Sequence, residues 1–350
     1  MKKNLFILAV GGVLLALASC SNDETVAENN TVNQPKEIAF TPLTQKATRA
    51  AVQGTAFPTT NSMEVRAYQT SPTTGDYFAQ TTFAYQYLGG TVDATNNPNF
   101  WGGSTPRYWP LGEASLNFFA VSGAGLTNSH ITLADALASA TVAYTSANSF
   151  SQTNQSDIMY AFGRQSVGVS GNTLTFPDVD MTFKHALALI KFQVKAGNAA
   201  SKDINITSIV VNGAKYTGSL TLTNSSAVTA ASGDVTTTVA WTPDAAVNDV
   251  NVTNSNIGAL DDNDFKPADG GAEGTWACVM IVPGDSNGIS NFVINYSLNG
   301  KNYSYTYDPS LTNTVAGTVY TYQITMTLNE IQIDPSVTEW TGAPTSVNIP

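Results

Sequence analysis

The sequence predicts an all-β protein, and three observations lead to this prediction. Apolar and polar residues alternate with period two through most of the chain, as in half-buried strands. Turn pairs such as Asn212-Gly213 and Asn299-Gly300 separate these runs, because Asn and Gly tolerate the positive φ of tight hairpin turns. Helical periodicity is scarce, with Leu133–Ala138 as the main instance. Many short strands without intervening helices are typical of sandwiches, and the length fits two in tandem.

A secretory leader precedes the predicted strands. Met1–Lys3 is positively charged, and Leu5–Leu17 is apolar but too short to span a bilayer comfortably. Small residues then lead to Cys20, and this arrangement resembles a bacterial lipobox. The resemblance implies cleavage before Cys20 and acylation of its thiol and new amine. The alternative is an ordinary secretory signal with an incidental cysteine. Residues 1–19 are the predicted signal peptide in either case.

Residues 20–49 are interpreted as a tether and a propeptide strand. Residues 21–36 are polar, and the acidic Ser21–Glu24 resembles the signal that sends lipoproteins of Bacteroides-type bacteria to the outer surface. The alternative is that Ser21–Glu24 is only part of a polar linker. Glu37–Leu43 alternates with period two, with Ile38 and Phe40 on one face, and therefore predicts a short strand. Its proline, Pro42, indicates an edge position or a strand end.

The rest of the chain is divided into an N-terminal sandwich, residues 50–185, and a C-terminal sandwich, residues 186–350. The sequence leaves this boundary uncertain by about ten residues, because one strand near residue 190 fits either sandwich. The predicted strands, in chain order, are Met63–Gln69, Thr82–Leu88, Leu116–Ser122, Ala138–Thr145, Asp157–Phe162, Leu174–Phe183, Ala188–Lys195, Ile204–Asn212, Ser219–Thr223, Val235–Trp241, Thr275–Pro283, Asn291–Asn299, Lys301–Asp308 and Val319–Ile333.

Composition argues against several classes of function. The net charge of −11 argues against binding nucleic acid, or an anionic membrane through charge. Of the two cysteines, Cys278 lies in an apolar strand pattern and is expected to be a small core residue. With Cys20 acylated, no disulfide is expected.

The sequence predicts no catalytic residue, no metal site and no cofactor. The two histidines, His130 and His185, lie in a polar loop and beside a strand, without the partners of a catalytic triad or a zinc site. Asp261–Asp264 is the densest acidic run, but it lacks the glycine and the distal glutamate of an EF-hand, so we expect a solvated loop. The aromatic residues fall mostly in strand patterns, where packing is their usual role. We therefore expect a protein that is not an enzyme.

Four groups of segments, taken together, resemble the fimbrillin family of Bacteroides-type bacteria, the subunits of protease-assembled (type V) pili. The groups span most of the exported chain, and their order adds to the resemblance. They are Ile38–Phe40 with Lys46–Ala50, Tyr108–Pro110 with Leu116–Ala120, Asp157–Ala161 with Met181–Ala188, and Val315–Tyr322 with Val337–Trp340.

The resemblance implies two tandem transthyretin-like β-sandwich domains, export as a lipoprotein to the cell outer membrane, and cleavage after an arginine by a trypsin-like, arginine-specific surface protease. The matching residue is Arg49, and Ala50 would become the new N-terminus. Arg49 is one of four arginines, and it alone lies in a small-residue segment of the kind that proteases cut. The alternative is that Arg49 is only a solvated linker residue.

The resemblance also implies other pilus subunits as partners, a place in the fimbrium after processing, and a contribution to adhesion to a host or bacterial surface ligand. Departure of the propeptide strand would open a groove for a strand of another subunit. The candidate donor is the C-terminal tail with Val337, Trp340, Val347 and Ile349 as apolar residues. Prolines interrupt this tail, so stalk and tip or accessory roles both stay open. The competing hypothesis is a lipid-anchored monomeric surface protein that binds glycans or host proteins.

Overall fold

A computed structural model describes the protein over residues 36–44, 55–57, 62–78, 83–87, 101–103, 105–123, 131–133, 139–145, 157–201, 203–215, 217–225, 235–244, 248–252, 260, 266–267, 277–284 and 289–339. These residues form strands, turns and one short 3₁₀ helix, Ala199–Ser201, with no α-helix among them. The all-β prediction is therefore confirmed. Within the same ranges, no helix is long and apolar enough to cross a membrane.

The strands follow the alternation of the sequence closely. In chain order they are β1 Phe40–Thr44, β2 Thr55–Ala56, β3 Ser62–Ser71, β4 Gly75–Asp76, β5 Phe83–Tyr87, β6 Trp101–Gly103, β7 Ser115–Gly123, β8 Ile131–Leu133, β9 Ser139–Thr145, β10 Ile158–Ser166, β11 Gly168–Ser170, β12 Thr173–Thr175, β13 Val179–His185, β14 Ala188–Ala196, β15 Asn205–Ala214, β16 Thr217–Asn224, β17 Thr237–Pro243, β18 Asn248–Asn251, β19 Lys266–Pro267, β20 Ala277–Ile281, β21 Asn291–Leu298, β22 Lys301–Tyr307, β23 Thr318–Met326 and β24 Ile331–Glu339.

The N-terminal strands form a closed sheet, which we call the ring. Its order is β13-β10-β7-β3-β5-β6-β1, and β1 pairs back onto β13 to complete the circle. Along β13 the side chains alternate between buried and exposed, as the period of a strand requires. The interior is filled by aromatic and aliphatic residues from these strands, among them Phe40, Met63, Trp101, Phe118 and Phe183.

A second, four-stranded sheet joins the two halves of the sequence, and we call it the mixed sheet. Its order is β17-β16-β9-β8, so β8 and β9 come from before residue 185 and β16 and β17 from after it. An apolar cluster that includes Phe119, Leu187, Leu220 and Met280 contains residues of both the ring and the mixed sheet. The mixed sheet thus crosses the boundary predicted at residue 185, while the two-domain division itself stays a prediction.

The C-terminal strands form a sandwich of two sheets around one core. One sheet has the order β19-β14-β23-β24, with β20 also on β14, and the other has the order β18-β15-β21-β22. Phe192, Phe292 and Tyr322 meet between them, with ring centroids of Phe292 and Tyr322 4.7 Å apart. The Asn299-Gly300 hairpin predicted from the sequence joins β21 to β22, and Asn299 has a φ of +52°.

Three sequence expectations differ from the observed strands. Leu174–Phe183 is two strands, β12 and β13, because Pro177 interrupts the run. Val319–Ile333 is also two strands, β23 and β24, which form an antiparallel pair. Leu133 ends strand β8, which pairs with β9, so at least the start of the predicted helical stretch is extended.

Candidate functional site

Strand β1 occupies a slot in the ring and has neighbours on both sides. On one side it runs parallel to β13, from Phe40 opposite Val179 to Thr44 opposite Phe183. On the other side Phe40 is opposite Trp101 of β6, and Leu43 and Thr44 pair with β2. The expectation of an edge strand is therefore wrong.

Pro42 explains why the edge expectation failed. It lies between the residue that pairs with β6 and the residues that pair with β2. A proline has no N–H to donate, and at this position β1 passes from one neighbour to the next. The strand can therefore hold a proline and still be paired on both sides.

Side chains of β1 and of the residues just before it pack in the interior of the ring. Ile38 and Phe40 are both fully buried, and the Phe40 ring meets the Phe118 ring edge-on with centroids 5.3 Å apart. Burial of such side chains contributes about 1.5–3 kcal/mol each. The slot is therefore an apolar site that a chain with alternating apolar residues can occupy.

Backbone and ionic contacts hold the segment that leads into β1. The amide of Ile38 donates to the carbonyl of Arg107 at 2.7 Å, and the amide of Trp109 donates to the carbonyl of Lys36 at 2.9 Å. The Lys36 ammonium lies 3.1 Å from the carbonyl oxygen of Phe176 and 3.6 Å from Oδ1 of Asp178. This exposed ion pair contributes little energy, so the backbone hydrogen bonds are the main contacts that hold the entering chain.

Tyr77 supports the loop that carries Arg107 and Trp109. Its hydroxyl donates to the carbonyl of Tyr108 at 2.8 Å. A tyrosine hydroxyl keeps its proton at neutral pH, and burial raises the pKa of Tyr77 further, so the hydroxyl is a donor. The neighbouring Tyr108 forms an isolated bridge to Glu37, which links this loop to the entering chain.

The two strands next to the predicted cleavage site are paired with each other. Leu43 and Thr44 of β1 are opposite Ala56 and Thr55 of β2, and Phe57 then packs against Phe183 with ring centroids 4.6 Å apart. The chain between β1 and β2, residues 45–54, lies outside the described residues, and so do Arg49 and Ala50. This segment is the covalent connection from β1 to the rest of the ring.

Of the other three arginines, two lie in strands of the ring and Arg107 lies in the loop between β6 and β7. Arg66 lies in β3, is 3% exposed, and its Nε donates to Oδ2 of Asp76 at 2.8 Å. Arg164 lies in β10, and its Nε donates to Oδ1 of Asn117 at 2.8 Å. The carbonyl of Arg107 accepts the hydrogen bond from Ile38 described above.

The C-terminal donor candidate is only partly described. Val337 lies in β24, opposite Tyr320 of β23, and its side chain is 62% exposed. Trp340, Val347 and Ile349 lie outside the described residues. Nine register positions join β24 to β23, so the chain up to Glu339 is part of the C-terminal sandwich.

The model of the family described as fimbrillin-like matches residues 48–340. The chain belongs to the fimbrillin-like family. The match covers most of the chain and begins after β1. The resemblance to the fimbrillin family that the sequence suggested is thus confirmed, and membership supports a role as a pilus subunit at the cell surface. Comparison with curated proteins gives no match.

Solved structures similar to this fimbrillin-like protein share little sequence with it. A candidate cell adhesion protein from Bacteroides uniformis is 17% identical with a TM-score of 0.46, over 87% of this chain and 99% of that one. A fimbrial protein from Bacteroides vulgatus is 15% identical with a TM-score of 0.41, over 86% and 99%. The tip fimbrial protein Mfa3 from Porphyromonas gingivalis, with a C-terminal truncation, is 10% identical with a TM-score of 0.37, over 80% and 94%.

Other residues singled out in the sequence have structural surroundings in this fimbrillin-like protein. Cys278 is buried in the cluster between the ring and the mixed sheet. His185 is buried, and its Nδ1 donates to Oδ2 of Asp157 at 2.6 Å. His130 and Asp261–Asp264 lie outside the described residues, as does Cys20.

Sequence reasoning missed the residues that form the slot around β1. Trp101, Asp178 and Phe183 contact or pair with the β1 segment, yet each lies far from it in the sequence. Local alternation identifies a strand but carries no information about its partner, so no signal in the sequence pointed to these residues.

Proposed function

We propose that this protein is a structural subunit of a cell-surface pilus that is exported as a lipoprotein on Cys20, cut after Arg49, and assembled by strand exchange at the β1 slot. Its other partners would be related subunits, an arginine-specific surface protease and an adhesion ligand. The main support is that β1 closes the ring and is joined to β2 by residues 45–54. This connection contains Arg49, so one cut there would separate β1 from the rest of the ring.

The covalent connection determines whether β1 stays in place. A short flexible link holds a bound segment at an effective concentration in the millimolar range. After a cut at Arg49 the strand would be a separate chain at the much lower concentration of the protein itself. Burial of Ile38 and Phe40 favours binding, but ordering each residue of a strand costs about 1–2 kcal/mol. The cut therefore shifts β1 toward dissociation.

An empty slot would bind another strand. Departure of β1 would expose ladder groups of β13 and β6 and the apolar interior that Phe40 fills. An extended segment with alternating apolar residues satisfies both requirements, because main-chain hydrogen bonds provide affinity and the side chains provide specificity. Donation from one subunit to the next is head-to-tail, which produces a filament when it does not close into a ring.

The donor we propose is the tail from Trp340 onward, with Val347 and Ile349 as the alternating apolar residues. Val337, which the sequence grouped with the donor, is paired within β24 and would have to leave its own sheet to take part. The donor is therefore shorter than the sequence suggested. Stalk and tip or accessory roles both stay open: a stalk subunit would donate this tail, and a tip or accessory subunit would only accept a strand.

Substitution of the proposed cleavage residue tests this function. Arg49→Ala should give a folded, lipidated monomer that forms no polymers, measured by size-exclusion chromatography and electron microscopy of surface extracts. Lys46→Ala, a second cation in the same segment, should polymerise normally and serves as the matched control. Normal polymers from Arg49→Ala would contradict the mechanism.

The second candidate function is a lipid-anchored monomer that binds glycans or host proteins. The tight packing of Ile38 and Phe40 favours it, because a strand this well buried can also be a permanent part of the fold. In that case all mature protein would retain an acylated Cys20 and an uncut chain through Arg49.

A further inference from the structure

Strand β13 is the acceptor in the proposed exchange, and its two ends are held differently. Its ladder partners at Val179–Phe183 all belong to β1 among the described residues. Only Lys184 and His185 pair with β10, on its other side. Removal of β1 therefore takes away the backbone pairing of most of the acceptor strand.

The start of β13 depends on the β1 segment in other ways as well. The amide of Val179 donates to the carbonyl of Ala39 at 2.9 Å. The preceding Asp178 forms the ion pair with Lys36. Both contacts would leave with β1, so the close approach of β10 at Gly163 and the packing of the side chains of Val179, Met181 and Phe183 would remain to restrain this end.

The end of β13 is fixed by a buried polar contact. Nδ1 of His185 donates to Oδ2 of Asp157 at 2.6 Å, and the two side chains are 1% and 2% exposed. Asp157 directly precedes β10, and the amide of Ala186 donates to the carbonyl of Ile158 at 2.8 Å. None of these contacts involves β1.

The Asp157–His185 contact is not expected to contribute much to the free energy of unfolding. Oδ1 of Asp157 is buried and makes no hydrogen bond among the described residues. The desolvation of two buried ionisable groups offsets much of the energy of their attraction, so such pairs often contribute little net stability. A short buried contact does fix position and register, because its hydrogen bond is lost if either strand shifts.

We propose, on the basis of the strand-exchange function above, that Asp157 and His185 are positioning residues that hold the acceptor strand β13 in the ring after β1 leaves. The first five residues of β13 then loosen while its end stays in register with β10. An incoming strand pairs with β13 from this fixed end, and the pairing restores the rest of the ladder.

Proteolysis after Lys184 measures whether β13 stays attached. Lys184 lies in β13 with its side chain exposed, and a protease cuts there only when the strand opens locally. The exported chain, carrying Lys46→Gln to remove a lysine near Arg49, is compared intact and after cutting at Arg49 and removal of the N-terminal fragment. A lysine-specific protease is used, and mass spectrometry follows the peptide that ends at Lys184.

Asp157→Ala should accelerate this cleavage in the stripped form about tenfold, the effect expected from loss of one buried hydrogen bond. In the intact form the increase should stay below about threefold, because β1 still holds β13. Asp157→Asn keeps an oxygen that can accept from His185, so its cleavage rate in the stripped form should lie between those of the unsubstituted chain and Asp157→Ala. Ser122→Ala, which removes the part-buried hydrogen bond to the carbonyl of Ser62, should affect both forms alike and is the control.

Equal acceleration by Asp157→Ala in both forms would overturn the proposal, because it would show a general loss of stability. No acceleration in the stripped form would overturn it too, and Asp157→Asn gives the same comparison if Asp157→Ala does not fold. If the N-terminal fragment cannot be removed from the cut chain, strand exchange itself is wrong and the anchor role fails with it. Size-exclusion chromatography before proteolysis separates that outcome from the others.

Discussion

Phe40 is the residue on which the slot depends most. It is fully buried, pairs with Val179 and Trp101 on opposite sides, and contacts Phe118 edge-on. Its backbone position therefore links β1 to β13 and β6, and its ring links β1 to β7. A single substitution at this position changes how well β1 closes the ring.

Phe40→Ala should lower the free energy of unfolding of the intact subunit by about 3–5 kcal/mol, because it leaves a cavity in a closed core. Urea unfolding followed by circular dichroism measures this change. Val169→Ala, at a side chain that is 51% exposed, is the control. It should change the value by less than about 0.5 kcal/mol. A loss below about 1 kcal/mol for Phe40→Ala would show that the β1 side chain contributes little to the stability of the core.

The sequence alone identified some residues of the slot and not others. The alternation of Glu37–Leu43 was enough to select Ile38 and Phe40 as inward-facing residues, and both are fully buried. No local pattern identifies Asp178 and Trp101, because their roles follow from contacts with a segment far away in the chain. Such contacts depend on tertiary pairing, which a local pattern does not encode.

Among the elements, β10 and β13 approach closely because of one glycine. A Cβ placed on Gly163 of β10 would lie 2.8 Å from the carbonyl oxygen of Asp180 in β13, which is closer than real contacts allow. The absence of a side chain therefore lets β13 lie against β10 although the two strands share a ladder only at Lys184 and His185.

Gly163→Ala should lower the free energy of unfolding by about 1–3 kcal/mol, because β13 must move to make room for the methyl group. Gly112→Ala is the matched control, since a Cβ there meets no atom within 4 Å. Both variants are measured by urea unfolding of the intact chain. Equal stabilities for the two variants would mean that the contact between β10 and β13 relaxes freely.

Near the C-terminus the paired strand β24 ends at Glu339, and the proposed donor follows it. Truncation after Glu339 should leave the subunit folded, since β24 keeps its nine register positions with β23. A stalk subunit truncated in this way should no longer extend filaments, as measured by filament length in electron micrographs. Unchanged filaments would assign the protein to a tip or accessory role. Truncation before β24 is the contrasting variant, and it should unfold part of the C-terminal sandwich.

Strand positions were predictable to a greater degree than strand partners. The Asn299-Gly300 hairpin was predicted because its turn and both strands are adjacent in sequence. The parallel pairing of β1 with β13 joins residues that are far apart, and nothing in either segment specifies a parallel partner. Pro42 even pointed to an edge position, because its place between two successive neighbours is a property of the assembled ring.

For the whole molecule, the mixed sheet restricts what strand exchange can change. It joins β9 to β16 over seven register positions and packs against the outside of the ring. Opening of the slot between β13 and β6 involves other strands, so loss of β1 leaves this connection intact. We therefore expect exchange to alter the ring locally while the ring and the C-terminal sandwich stay joined.

Strand exchange requires that β1 belongs to the precursor and not to the assembled subunit. N-terminal sequencing and intact mass measurement of subunits from isolated filaments distinguish these two cases. We expect a mature chain that begins at Ala50, with no peptide from Lys36–Thr44 in the filament. Filament subunits that retain Ile38 and Phe40, or an acylated Cys20, would contradict the claim.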